Sequence, residues 1–285
     1  MLPLIFAVTT AAVWGTADFC GGKATQRAPA LAVSMLSKLA GLPVLAVGLV
    51  IAGGRPTVPG LGWGALAGLF GMAGVILLYR GLATGAMTVV APVTAVTSAL
   101  IPFVIGIVLD GVPRLLAVIG ASCAVGAIAL VSTGSEAESE AGRKPIGLRI
   151  VGLALAAGCG FGLFMAFLSR AKDPGGVDSG LWPLVTAQLT ALGLGALLLR
   201  RSRLPVRLAG RALRWAVAAG VLDFSANVLY LFATRTGELS IVAPISSLYP
   251  ASTVLLALAV DRERVRPMQL AGLGLAATAL VLVAS

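Results

Sequence analysis

Ten stretches of about 20 mainly apolar residues follow one another along the chain, joined by short polar connections: residues 2–21, 31–52, 61–83, 87–109, 113–133, 147–169, 180–200, 212–234, 239–260 and 267–284. A helix of about 20 residues spans a hydrocarbon core roughly 30 Å thick. Lipid offers no hydrogen bonds to the backbone, so only helices and closed barrels can cross it. Barrel strands would alternate polar and apolar residues over segments of about 10. These runs are continuous and rich in Leu, Ala and Gly, so the expected fold class is an all-α integral membrane protein with ten transmembrane helices. The charge content agrees, since 11% of the residues are charged against about 25% in a soluble domain, and mean hydropathy is +1.00.

The longest polar connection, "GSEAESEAGRKP" from Gly134 to Pro145, is too small and too polar to build a core. Chemistry is therefore expected among the helices. The opening run from Met1 to Trp14 has no basic segment before it and no clear cleavage pattern, so it is read as a retained first helix. Cys20, Cys123 and Cys159 are far apart and the chain has no histidine, so neither a metal site nor a histidine proton relay is expected. No cofactor is expected either. The net charge of +10 lies in loops beside apolar helices with no nucleic-acid module, so it reads as membrane topology and not as nucleic-acid binding. "GLFGMAG" lacks the lysine of a nucleotide loop. Any transport must then be driven by a gradient.

"TGAMTVVAPVTAV", Thr84 to Val96, aligns without gaps on "TGELSIVAPISSL", Thr236 to Leu248. Each joins the third and fourth spans of a five-span half. The expected organisation is a first repeat over 1–133, a polar linker over 134–146 and a second repeat over 147–285. Five crossings is an odd number, so the halves would be inverted, as in many secondary transporters.

The stretch "AVWGTADF" in the first span, Lys38 in the second, "LYRGLATGAMTVVAPVTAV" and the closing "LALAVDRERVRPMQLAGLGLAATALVLVA" resemble the EamA domain of the drug/metabolite transporter superfamily, twice in tandem. The resemblance covers essentially the whole chain. It implies two inverted five-helix halves, transport of small metabolites, often export, and a cavity lined by the first, third, sixth and eighth helices. The chain departs from the family at "LDGVPR", where members often carry a Glu-Arg pair, and between the second and third spans, where only Arg55 is basic.

Fifteen of the 21 Lys and Arg residues fall in odd-numbered connections and five in even-numbered ones. The positive-inside rule then places the odd connections in the cytoplasm and both termini outside. Well-known members of the resembled family have both termini inside, so charge and family precedent disagree. The expected location is the cell membrane, plasma or inner, as a multi-pass protein.

Two acids lie within the spans, Asp18 and Asp223. Asp223 is about 10 residues, or roughly 15 Å, from either end of the eighth span. An ionised Asp there costs about 2.5 to 3.5 kcal/mol on insertion scales, so it should face the protein interior or water. Asn227 and Tyr230 follow on the same helical face. This stripe is read as substrate-binding, with Asp223 taking a cation or a proton and Asn227 and Tyr230 orienting the substrate; the alternative is that Asp223 pairs with a donor on a neighbouring helix and only fixes packing. Asp18 and Lys38 approach the same membrane face and are expected to pair, or to bind substrate. Trp14 and Tyr79 are further cavity candidates, whereas Trp182 and Trp215 suit an interfacial belt. Pro92 and Pro244 occupy equivalent places and are expected to kink the fourth and ninth helices. Gly68, Gly71 and Gly74 read as a close-packing surface.

The function this supports is gradient-driven transport, with export of a small polar or amphipathic metabolite such as an amino acid or a drug-like compound, and no enzymatic activity. Its expected partners are the substrate, the lipid bilayer and, as a candidate coupling ion, the proton; monomer and homodimer are both open. The alternatives are an uptake permease of the same fold, a membrane-embedded lipid-modifying enzyme and a noncatalytic scaffold. An enzyme would need a clustered set of acids that the spans lack.

Overall fold

The computed structural model describes residues 1–25, 27–82, 87–134, 148–171, 179–202, 208–261 and 267–284. The expected linker therefore lies almost entirely outside the described residues, and so do the side chains of Tyr79 and Pro92. Among the described residues the structure is helical throughout and has no strand. The helices are α1 Leu2–Thr25, α2 Ala30–Ala52, α3 Val58–Leu82, α4 Met87–Asp110, α5 Leu115–Gly134, α6 Leu148–Arg170, α7 Trp182–Ser202, α8 Gly210–Thr236, α9 Leu239–Ser246, α10 Tyr249–Asp261 and α11 Pro267–Ala284. Six of them, α1, α2, α3, α6, α7 and α8, contain stretches long and apolar enough to cross a membrane. Val93–Leu109, Leu115–Leu130 and Leu270–Ala279 are shorter apolar stretches.

One expected span is not a single helix. The run 239–260 divides into α9 and α10 around Ser247 and Leu248. Pro244 lies inside α9, which continues to Ser246, so the break comes after the proline and not at it. Pro250 in the next turn has no N–H to offer the Ser246 carbonyl, which ends the regular ladder there. The turn closes instead with Ser247 N–H on the Ala243 carbonyl at 2.9 Å and Leu248 N–H on the Ile245 carbonyl at 3.1 Å.

Helices meet where their side chains are smallest. α3 approaches α7 at Gly64 and Gly68, where an added methyl would overlap the carbonyls of Pro183 and Ala187. It approaches α6 at Gly71, against Phe164, and at Gly74, against Gly160. The small-residue reading of Gly68, Gly71 and Gly74 is thus what the packing uses. α8 meets α2 in the same way, with Gly220 on the Ser37 carbonyl and Gly41 against the backbone of Gly220. Hydroxyls reinforce these contacts: Thr186 donates to the Leu61 carbonyl at 2.9 Å and Ser37 to the Ala216 carbonyl at 2.9 Å. Other hydroxyls, such as Thr10 and Thr16, turn back onto carbonyls of their own helix, at 2.7 and 2.8 Å, which satisfies them without a partner helix.

The pairing of helices follows a pattern. α1 packs on α8 and α3 on α6; α2 packs on α8 and α3 on α7; α4 packs on α6, and α1 on α9 and α10; α5 packs on α11. α2 and α1 both lie along α8 but barely touch each other.

Candidate functional site

Asp223 stands at the centre of α8, a helix of 27 residues, roughly 20 Å from either end at about 1.5 Å per residue. Its Oδ2 is 2.7 Å from Lys38 Nζ on α2. The expected pair of Lys38 with Asp18 does not form. The reason is packing: glycine contacts bring α2 onto α8, whereas α1 stands off from α2. Gln188 of α7, itself buried, fixes the lysine's backbone by donating from Nε2 to the Lys38 carbonyl. The bridge is not sealed. Lys38 retains 24% and Asp223 35% of their side-chain exposure at mid-helix. A charge pair in lipid offsets the desolvation of each partner only if the geometry is close, and 2.7 Å meets that condition.

Asp18 lies on the neighbouring α1. It is exposed and close enough to Asp223 for the two carboxylates to repel, and it acts electrostatically on Tyr249 at the head of α10. Among the described residues it has no hydrogen-bond or ion-pair partner.

Beneath the charges lies an aromatic layer. Trp14 is one turn before Asp18 on the same face of α1. Its ring is 5.5 Å from that of Tyr230 at 34° and 6.3 Å from that of Tyr249, edge-on at 78°; such offset and edge-on pairs are the favoured arrangements. Tyr249 also shares a hydrogen bond with Ser98 of α4. Tyr230 is fully buried and donates its hydroxyl to the Met165 carbonyl of α6 at 3.1 Å, while Ser247 in the α9–α10 break contacts Met165 Sδ at 3.7 Å.

The stripe read along the eighth span therefore divides. Asp223 is partly exposed and paired with Lys38; Asn227 is buried and donates from Nδ2 to the Asp223 carbonyl at 2.7 Å; Tyr230 turns its hydroxyl to the Met165 carbonyl. Trp14 joins the site. Trp215 packs edge-on against Phe19 at 6.3 Å. Tyr249, at the head of α10, lies edge-on to Trp14 just after the break between α9 and α10. The Lys38–Asp223 pair and the ring contacts bring together residues of α1, α2, α8 and α10, whereas α6 offers a backbone carbonyl and α3 turns its glycines to its neighbours.

On the opposite side from Asp18 and Lys38, three connections are tied together. Arg235 at the end of α8 donates from Nη2 to Ser179 Oγ and to the Gly180 carbonyl, each at 2.8 Å. Gly180, with φ of +53°, lies directly on Gly53 and Gly54 of the α2–α3 connection, an approach a side chain would block.

A solved crystal structure matches this fold with a TM-score of 0.77 at 17% sequence identity, covering 99% of this chain and 98% of the other. At that identity the likeness concerns the fold alone. No curated protein matches the sequence. The EamA-like transporter family matches residues 1–133 and 148–285, each half aligning once, so the chain belongs to the EamA-like family of membrane transporters.

Proposed function

We propose that the protein is a secondary transporter of ten crossings in two inverted halves, exporting a small polar or amphipathic metabolite, such as an amino acid or a drug-like compound, by alternating access. The observation that carries this reading is the partly exposed Lys38–Asp223 pair at mid-depth, beside a second carboxylate and three aromatic rings. A static bridge would be stable if sealed from water. One left partly open offers both signs of charge to a solute.

The duplication draws support from packing. Exchanging the halves maps α1 on α8 to α6 on α3, and α2 on α8 to α7 on α3. The spacing that relates Pro92 to Pro244 also relates Trp63 to Trp215 and Gly68 to Gly220, and both glycines lie on a carbonyl of the partner helix. Alternating access draws support from the two unlike faces. The Arg235 clamp closes the even-numbered connections, whereas Asp18 and Lys38 lie towards the odd-numbered ones, which the Lys and Arg distribution assigns to the cytoplasm.

Counterflow in proteoliposomes tests the reading: labelled amino acids, and then labelled drug-like compounds, should accumulate transiently against unlabelled solute inside. Flux that rises linearly with concentration and ignores unlabelled solute would indicate a channel and end the proposal.

A further inference from the structure

We propose that the seam where α1 ends and α8 begins binds one anionic phospholipid, with its phosphate among Lys23, Arg27, Arg211 and Arg214 and a chain along the outer face of α8. Such a site would stand whatever solute the protein carries. Packing brings these residues to one place. The rings of Phe19 and Trp215 meet edge-on at 6.3 Å, Lys23 Nζ lies 5.4 Å from the centre of the Phe19 ring, and Arg27 donates from Nη1 to the Lys23 carbonyl at 3.1 Å. Ala24, Val33 and Ala216 are buried in one cluster, with Trp215 packed against it, so the start of α2 joins the same junction. On α8, Arg211 is four residues before Trp215 and shares its face. Arg214 heads an outward stripe with Val217 and Val221 at i+3 and i+7, all three exposed.

The charge at this junction has one sign. Neither 19–109 nor 179–222 contains an Asp or a Glu, and among the described residues Arg27, Arg211 and Arg214 have no carboxylate partner. Insertion topology requires positive charge in these connections. It does not require that basic side chains from two separate connections gather over one pair of rings. Phosphate oxygens suit that arrangement, because a guanidinium pairs with them through two parallel N–H groups and a lysine adds a point charge. The rings lie at headgroup depth, and the valine stripe below Arg214 offers apolar surface to an acyl chain. A phosphocholine lipid would bring its own ammonium among four cations, whereas phosphatidylglycerol brings only negative charge. Each Lys or Arg beside an anionic headgroup favours it about fivefold.

Native mass spectrometry of the purified full-length protein, titrated in detergent with phosphatidylglycerol or phosphatidylcholine of the same chains, tests this. Phosphatidylglycerol should bind in one copy at least about tenfold more tightly than phosphatidylcholine. Lys23→Gln combined with Arg211→Gln should reduce that preference about tenfold or more, while Arg114→Gln combined with Arg170→Gln, which removes the same charge from the opposite face, should leave it unchanged. A second readout locates the lipid. Phosphatidylglycerol with brominated chains should quench tryptophan fluorescence more than its phosphatidylcholine counterpart, and Trp215→Phe should remove the difference. If the first double variant fails to fold, the quenching comparison decides. Equal affinity for the two lipids, equal losses in the two double variants, or quenching that ignores Trp215→Phe overturns the proposal. So does glycerol phosphate that competes at the lipid's own concentration, which would make the ligand a soluble anion.

Discussion

Lys38 and Asp223 illustrate how an apolar bundle keeps a charge. Removing either partner strands the other in a site that is only partly wet, and the remaining exposure reduces what would otherwise be a cost of about 3 to 5 kcal/mol. Asp223→Asn and Lys38→Gln are each expected to lower thermal stability by roughly 1 to 2 kcal/mol, and the double variant to recover most of it, while all three lose transport. Scanning calorimetry of the four proteins checks this, and a double variant as unstable as the sum of the singles would show that the two residues do not support each other. By the spacing that relates Pro92 to Pro244, Asp223 would correspond to Gly71 and Lys38 to Thr190. The charge pair is thus present once, and the glycine in the other half lies against Phe164 instead.

Helices pack here through missing side chains. Gly220 lies against the Ser37 carbonyl, and a backbone group cannot swing aside as a side-chain tip can. Gly220→Val should therefore separate α8 from α2, destabilise by about 1 to 3 kcal/mol and break the Lys38–Asp223 contact. Gly22 is open on all sides, so Gly22→Ala should be nearly silent in the same thermal-melt assay. Equal effects at the two positions would remove close packing as the explanation. The glycines of the third span were legible as packing residues, but not that Gly68 would meet α7 while Gly71 and Gly74 meet α6, since a sequence does not name the partner helix. The break between α9 and α10 was not legible either, because Pro244 and Pro250 both interrupt the ladder and the sequence does not say which one ends the helix.

At the scale of the whole molecule, Arg235 ties the end of α8 to the turn before α7. Arg235→Ala should release that face. A cysteine introduced in place of Thr57 beside the clamp should then react severalfold faster with an impermeant thiol reagent than in the protein with Arg235 intact; an unchanged rate would mean that the contact is not a gate. Orientation is a separate question. A fluorescent reporter that matures only in the cytoplasm, fused after Ser285, should stay dark if the Lys and Arg distribution governs insertion, and bright cells would favour the family precedent instead.

By itself the sequence determined that the chain is helical with runs fit to cross a membrane, because apolar runs of bilayer length leave the backbone little other way to satisfy its hydrogen bonds, and its motifs carried the resemblance to the family that matches both halves. It also singled out Asp18, Lys38 and Asp223, since charge is costly in lipid wherever it occurs. Only the tertiary structure decided which charges pair. Asp18 and Lys38 share a membrane face, yet the partner of Lys38 is set by which helices approach through glycine, and those contacts join residues far apart in the chain. The same long-range packing set the Tyr230 hydroxyl on the Met165 carbonyl and brought Tyr249 against Trp14.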